Sequence, residues 1–385
     1  MVSNPSYLII TSMKNEASFI LEWVAYHRVI GFTDFLVYTN NCEDGTVEML
    51  ERLEELGVVT HKANKVLKRG PQKSALKDAK THPLVEKADW IYVADIDEFL
   101  VVKQGDGSVQ ALIDAMPEET DVIPVTWRLF GHNDQVDYVD RPVIEQFTDA
   151  ERPLSEGGFP DRFVKSLFRR HEDVERFGTH GPIAGEDFVW RQSDGRLLGK
   201  GDNLTRPARA FAYDVAQINH YAVGSVDMYL VKKDRGRVNH WRQDMGLDYW
   251  RRLCRGGSED RSILTRLEAT KAEMARLMED DVLRQLHDEG VAWRQARIAE
   301  LKERRAFARM RRRILELSKA GDHLRRFETK PKSDAPKQDE VLAELKSLCS
   351  DMRALVDHLA PHEAAENALE LLDDMETGLF GKGGK

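Results

Sequence analysis

Asp89-Trp90-Ile91-Tyr92-Val93-Ala94-Asp95-Ile96-Asp97-Glu98-Phe99-Leu100 runs apolar, ends in carboxylates at Asp95, Asp97 and Glu98, and then turns apolar again. The β-branched and aromatic residues from Trp90 to Ala94 predict a buried strand. In α/β sheets, ligands bind at the carboxyl ends of strands. Asp95 and Asp97 stand two apart, so in extended chain both point the same way. Two hard oxygen ligands held like this suit Mg²⁺ or Mn²⁺ bridging substrate phosphates. The plain alternative is a strand end that turns acidic where it reaches solvent.

Outward from this stretch, the pattern alternates. Tyr7 to Thr11 predicts a buried strand, and Phe19 to Val29 a helix with Ile20, Trp23, Val24, His27 and Ile30 on one face. Phe35 to Tyr38 is a second strand. Val47 to Leu56 is a helix closed by Gly57, and Val58 to His61 a short third strand. Lys73 to Ala88 reads as one helix leading into the acidic strand. This β-α-β-α-β-α-β order calls for a mainly parallel, Rossmann-like sheet with helices on both faces. Ligand-type residues gather at the strand ends: Thr11, Asn15 and Glu16, then Asn40, Asn41 and Asp44, then Asp95 and Asp97. Each such turn alone is ordinary turn chemistry. Three in register with an acidic strand end point to a nucleotide crevice. Neither the dinucleotide fingerprint nor the phosphate loop of nucleotide triphosphatases occurs, so phosphates are expected on a metal at Asp95 and Asp97.

At 385 residues the chain exceeds one typical domain, and 41% apolar with 32% charged residues describe a soluble protein. A net charge of -9 speaks against a polyanion binder as a whole, and nucleic acid is not an expected partner. Cys42, Cys254 and Cys349 are far apart and odd in number, which favours a reducing compartment. No signal region opens the chain, and no window approaches the length of a membrane span. The expectation is a cytoplasmic protein, with peripheral contact at the inner membrane face left open. The sequon at Asn203 then carries no meaning.

From about Asp121 the pattern changes. Strands are predicted at 121–127, 163–170 and 216–221, with an irregular stretch at 141–158. Gly178-Thr179-His180 is a small-residue loop carrying an imidazole. After Ser225 a helix carries Lys232, Lys233, Arg235 and Arg237, then Asn239 and His240 follow. His220, at a strand end, is a candidate third metal ligand, and the cations could neutralise a departing diphosphate. A core-satisfied His220 and a solvated helix face are the plain alternatives. Either imidazole, His180 or His220, could instead orient an acceptor sugar.

Several motifs in order resemble family-2-like glycosyltransferases of the Asp-x-Asp-Glu-Phe branch. They are Thr11-x-x-x-Asn15-Glu16, Glu22-Trp23-Val24-Ala25-Tyr26-His27, Gly31, Asp44-Gly45-Thr46 and Asp95-Ile96-Asp97-Glu98-Phe99. Lys165-Ser166, Gly178-Thr179-His180, Asn219-His220-Tyr221, Ser225, Lys232 or Lys233 and Arg235-Gly236 extend the likeness over about residues 5 to 240. The resemblance implies a GT-A fold, a nucleotide-sugar donor and Mn²⁺ or Mg²⁺. It puts base and ribose against Thr11, Glu16 and Asn40, with Gln72 or Lys73 facing the donor. Asp95 would lie near ribose and metal, and Asp97 on the metal. Asn15, Asp44, Lys232 and Arg235 complete the expected donor site. Catalytic candidates are Asp97, Glu98 and His180, and metal candidates Asp95, Asp97 and His220. Inversion with a carboxylate base is implied, and Glu98, Asp134, Glu186 and Asp187 are the carboxylates on offer.

The expected domains are residues 1–245, a helical extension at 246–328, a linker at 329–338 and a terminal helix and tail at 339–385. Within 260–317 helix formers dominate, and 304–313 is rich in arginine. That run reads as a solvated face, an anionic-membrane contact or a nucleic-acid contact. Val341, Leu345, Leu348, Met352, Leu355 and Leu359 form a short heptad seam suited to a helix hairpin or self-association. The sequence thus predicts a metal-dependent glycosyltransferase acting on a glycan or lipid-linked acceptor. A nucleotidyltransferase and a non-catalytic scaffold that binds nucleotide sugar are the rivals.

Overall fold

The computed structural model describes residues 5–68, 70–152, 163–199, 213–236 and 245–319. The sequon, Arg237, Asn239, His240, the linker and the heptad seam lie outside the described residues. Among the described residues, no helix is long and apolar enough to cross a membrane.

The first half alternates as predicted. Strands β1 (Tyr7–Met13), β2 (Asp34–Thr39) and β3 (Thr60–Ala63) are separated by helices α1 (Ala17–Val29) and α2 (Thr46–Glu55). The single helix expected over 73–88 is two, α3 (Pro71–Ala79) and α4 (Pro83–Lys87). Pro83 supplies no N–H and restricts the residue before it, so a new helix starts there, capped by the His82 side chain. The strand expected over Trp90 to Ala94 is present, one residue shorter. β4 (Trp90–Val93) stops short of Asp95, and β5 (Glu98–Val102) begins at the third carboxylate.

After α5 (Val109–Asp114) come β6 (Val122–Leu129), α6 (Val143–Gln146) and β7 (Asp149–Glu151). Then follow β8 (Val164–Arg169), β9 (Val174–Phe177), β10 (Pro182–Ala184) and β11 (Ala216–His220). The main sheet has eight strands in the order β3-β2-β1-β4-β8-β6-β11-β5. β1, β2, β3 and β4 are mutually parallel, and β8 runs antiparallel to both β4 and β6. The expected α/β architecture is borne out; the expected parallel pairing holds across β3-β2-β1-β4 and between β6 and β11, while β8 and β5 pair antiparallel.

Successive strands β4 and β5 therefore lie far apart in the sheet. β5 pairs only with β11 among the described residues. Its edge is blunted by α1: Trp23 Nε1 donates to the Glu98 carbonyl at 3.1 Å and Tyr26 Oη to the Leu100 carbonyl at 2.8 Å. Buried Trp and Tyr need a partner for their polar ends, and here they supply the strand with its missing donors.

Helix α7 (Val226–Arg235) follows β11, capped by Ser225. Beyond it lie α8 (Leu247–Leu253), β12 (Gly257–Glu259), a 3-10 turn (Ser262–Arg266), α9 (Leu267–Leu277), α10 (Asp281–Glu303) and α11 (Arg305–Lys319). The helix-rich C-terminal region is thus present through Lys319, broken into several segments. α9 and α10 pack along α1, and α10 also meets α2 and α7. Ile263, Leu277 and Leu283 share one core cluster with α1 and β5. Gly290 lets the α10 backbone approach Ala17: a Cβ there would stand 2.5 Å from the Ala17 Cβ.

Candidate active site

The turn from Ala94 to Asp97 joins two distant strands, and hydrogen bonds hold it at both ends. Glu98 N donates to the Asp95 carbonyl at 3.1 Å and Tyr221 N to the Asp97 carbonyl at 2.9 Å. Asp95 Oδ1 accepts from Gln72 Nε2 at 2.6 Å, and its Oδ2 lies 3.2 Å from Lys165 Nζ. Asp97 Oδ2 accepts from Lys232 Nζ at 2.5 Å, and His220 Nε2 stands 3.6 Å away. Burial alone would raise the Asp97 pKa. The Lys232 ammonium and the His220 imidazole outweigh it and hold the carboxyl well below the usual carboxylate range.

Glu98 has a different surrounding. It is fully buried, and its Oε2 accepts from Asp95 N at 2.9 Å and contacts Lys165 Nζ at 3.1 Å. Burial pushes its pKa well above the usual range, against the downward pull of Lys165. Lys165 keeps its proton, because Asp95 and Glu98 together outweigh the cost of burying it. Glu98 is placed to shape the turn from beneath, not to meet an acceptor hydroxyl. Lys165, quoted in the sequence only as part of a motif, is the buried cation on Asp95 and Glu98, as Lys232 is on Asp97.

The first two strand-end loops are tied together. Asp44 accepts from Ala17 N at 2.9 Å and from Thr46 Oγ1 at 2.6 Å, while Thr46 Oγ1 accepts from Glu16 N at 2.8 Å. Asn15, in the left-handed region at φ 55°, accepts from Glu43 N at 2.9 Å. Asp44 and Asn15 are thus engaged in building the loops. Asn40 Oδ1, Thr11 Oγ1 and Gln72 Oε1 are buried with no hydrogen-bond partner. Other buried side-chain atoms are unpaired too, and what sets these three apart is their place: Thr11 lies on β1, Asn40 just after β2, and Gln72 beside Asp95.

Between the Asn15–Phe19 segment, the acidic turn and α7 lies a cavity of about 50 Å³, lined by Glu16, Glu22, Asp97, Tyr221, Lys232, Arg235 and Arg294 together with apolar side chains. Arg235 pairs with Glu16 and donates to the Lys14 carbonyl at 2.8 Å. Arg294, from α10, donates to Ser18 Oγ at 2.6 Å and to the Asn15 carbonyl at 3.2 Å, and lies 4.2 Å from the Phe19 ring centre. Burial, together with Arg294, pulls the Arg235 pKa down to about 10. Sequence reasoning missed Arg294, whose only signal is a cation within a long helical run.

Two candidates fall elsewhere. Lys73 is exposed on α3, one residue and about 100° of helix turn from the inward Gln72. His180 Nδ1 donates to the Val164 carbonyl at 2.9 Å, and its ring stacks on Phe163. Trp127 separates His180 from His220, with ring centres 5.6 Å and 4.3 Å away respectively.

For a divalent cation, the chain offers the Asp95 and Asp97 carboxylates. Among the described residues, no group of three His, Cys, Asp or Glu side chains is arranged to hold an ion. Two carboxylates completed by substrate phosphates and water fit Mg²⁺ or Mn²⁺, which are seldom fully caged by protein. His220 stands as a partner of Asp97, where it favours the ionised carboxylate.

This geometry coincides with a family match. Residues 10–187 match the model of glycosyltransferase family 92. The family 92 segment contains both loops and the acidic turn, while Lys232, Arg235 and Arg294 lie beyond it. A family 92 protein of Oryza sativa subsp. japonica is 30% identical over 98 residues, covering 25% of this chain and 16% of its own length. One of Ricinus communis is 27% identical over 114 residues, covering 27% and 19%. The chain therefore spans under a fifth of each relative's length. Among solved structures, S. aureus TarS 1-349 is 12% identical, with coverage of 85% and 98% and a TM-score of 0.31, a level that decides nothing by itself. The expected resemblance, to family-2-like glycosyltransferases, is borne out as a resemblance to glycosyltransferases, and the family whose model matches is family 92.

Proposed function

We propose that this chain transfers a sugar from a nucleoside-diphosphate donor to an acceptor hydroxyl, with inversion. The observation that carries the proposal is the Asp95–Asp97 turn, fixed at a strand end beside Lys232 and Arg235. The unpaired Thr11, Asn40 and Gln72 atoms would receive the nucleoside. A divalent ion on Asp95 and Asp97 would supply electrophilic charge to the diphosphate. The chain's own part is to hold that charge in register. Lys165 fixes Asp95 from below, while Lys232, now on Asp97, can turn to a leaving phosphate oxygen. The acceptor hydroxyl would bond the anomeric carbon from the side opposite the departing diphosphate and give up its proton to a carboxylate base.

Thermal unfolding against a panel of nucleoside diphosphates and their sugars, with and without Mn²⁺, tests this directly. A metal-dependent rise in midpoint with one base is expected, together with donor turnover that Asp97→Asn abolishes. The anomeric configuration of the product, read by NMR, tests inversion. Unchanged metal-dependent binding in both Asp95→Asn and Asp97→Asn would overturn the site.

A further inference from the structure

The cations around the α10–α11 junction fall into two groups. One group is paired: Arg297 and Arg304 on Asp234, and Lys302 and Arg311 on Asp227 and Asp137. On the opposite side of α11, Arg305, Arg309, Arg312, Arg313 and Lys319 are exposed and have no carboxylate partner among the described residues. At 100° per residue these five fall within an arc of about 120°, along a helix about 22 Å long. Glu316 is the one carboxylate in that arc. The apolar residues of α11 lie opposite, with Met310 and Ile314 buried against the α7–α8 side.

We infer that this ridge docks the protein on an anionic phospholipid surface. The ridge is straight and outward-facing, as a planar charged surface requires. Its excess of positive charge stands on a chain of net charge -9, so the attraction is local rather than a property of the whole molecule. Single-stranded nucleic acid is the poorer match, because α11 exposes no aromatic ring on which a base could stack. α11 packs against α7, which carries Lys232, so a docked ridge would lie behind the helix that serves the acidic turn.

Co-sedimentation of the full chain with vesicles tests this. Binding is expected to vesicles containing about a third phosphatidylglycerol, to fall with salt, and to be absent with phosphatidylcholine alone. At roughly 1 kcal/mol per cation near a charged membrane, Arg309→Gln, Arg312→Gln and Arg313→Gln together should lower partitioning about a hundredfold. Gln retains helix propensity, and an unchanged unfolding midpoint verifies the fold. The control replaces three exposed cations elsewhere, Lys68, Lys77 and Lys87, with Gln and should leave binding intact. An equal loss in the control would overturn the proposal, since net charge would then be the cause. So would absence of vesicle binding. Binding of polyuridylate in its place would overturn it as well.

Discussion

Glu22 and His27 sit five residues, roughly one and a half turns, apart on α1, both buried, and titrate in opposite senses. Glu22 accepts from Val143 N and Ile144 N, yet burial raises its pKa to about 7. His27 donates from Nδ1 to the Trp23 carbonyl, and burial lowers its pKa to about 3. As pH falls from about 7 toward the ordinary Glu value, the folded chain takes up a proton at Glu22 that the unfolded chain does not, which adds stability. As pH falls below the ordinary His value, the unfolded chain takes up a proton at His27 that the folded chain refuses, which removes stability. Each slope approaches about 1.4 kcal/mol per pH unit, so between them stability stays nearly level. Glu22→Gln should expose the His27 loss as a steeper acid-side fall in unfolding free energy, measured in urea at several pH values. Such environments are invisible in sequence, where Glu22-Trp23-Val24-Ala25-Tyr26-His27 shows only helical spacing. Asp95 and Asp97 were legible because an acidic cluster interrupts an apolar run. Lys165 was quoted only within a motif and Arg294 was missed, because their partners lie 70 and 279 positions away in sequence.

At the scale of elements, α10 acts through two positions. Gly290 pays the helix penalty of glycine so that the backbone can press on Ala17. Gly290→Leu should therefore cost about 1–3 kcal/mol through overpacking, visible as a lowered denaturation midpoint. Arg294→Met removes a buried cation from Asn15, Glu16 and Ser18, so about 3 kcal/mol of stability should be lost. Under the proposed function, Asn15 and Glu16 would frame the donor, and the KM for the donor should then rise in Arg294→Met but not in Gly290→Leu. The element boundaries show what local pattern conveys. β1, β2 and α1 were readable because their periods are unambiguous, and Pro83 was itself a visible stop within the predicted 73–88 helix. The end of β4 was readable to within a residue, but β5 was not, because nothing local to Glu98–Val102 names β11 as its partner.

For the molecule as a whole, the helical region through α10 completes the core of the sheet domain. Ile263, Leu277 and Leu283 pack in the cluster that holds Trp23, Tyr26 and Phe99. A chain ended at residue 245 should lose its cooperative thermal transition, while one ended at 319 should keep it, followed by circular dichroism. Sequence composition marked a change of character near 247, but composition cannot say which face a helix covers. The order of the strands has a consequence for how the protein is made. Glu98 is in register with His220, so the acidic turn spans a join that cannot close until β11 has left the ribosome. Non-local pairings of this kind form late. The carboxylates that define the site are thus written early in the chain and fixed only near the end of folding, so a lesion in Ala216–His220 would erase the site from a distance.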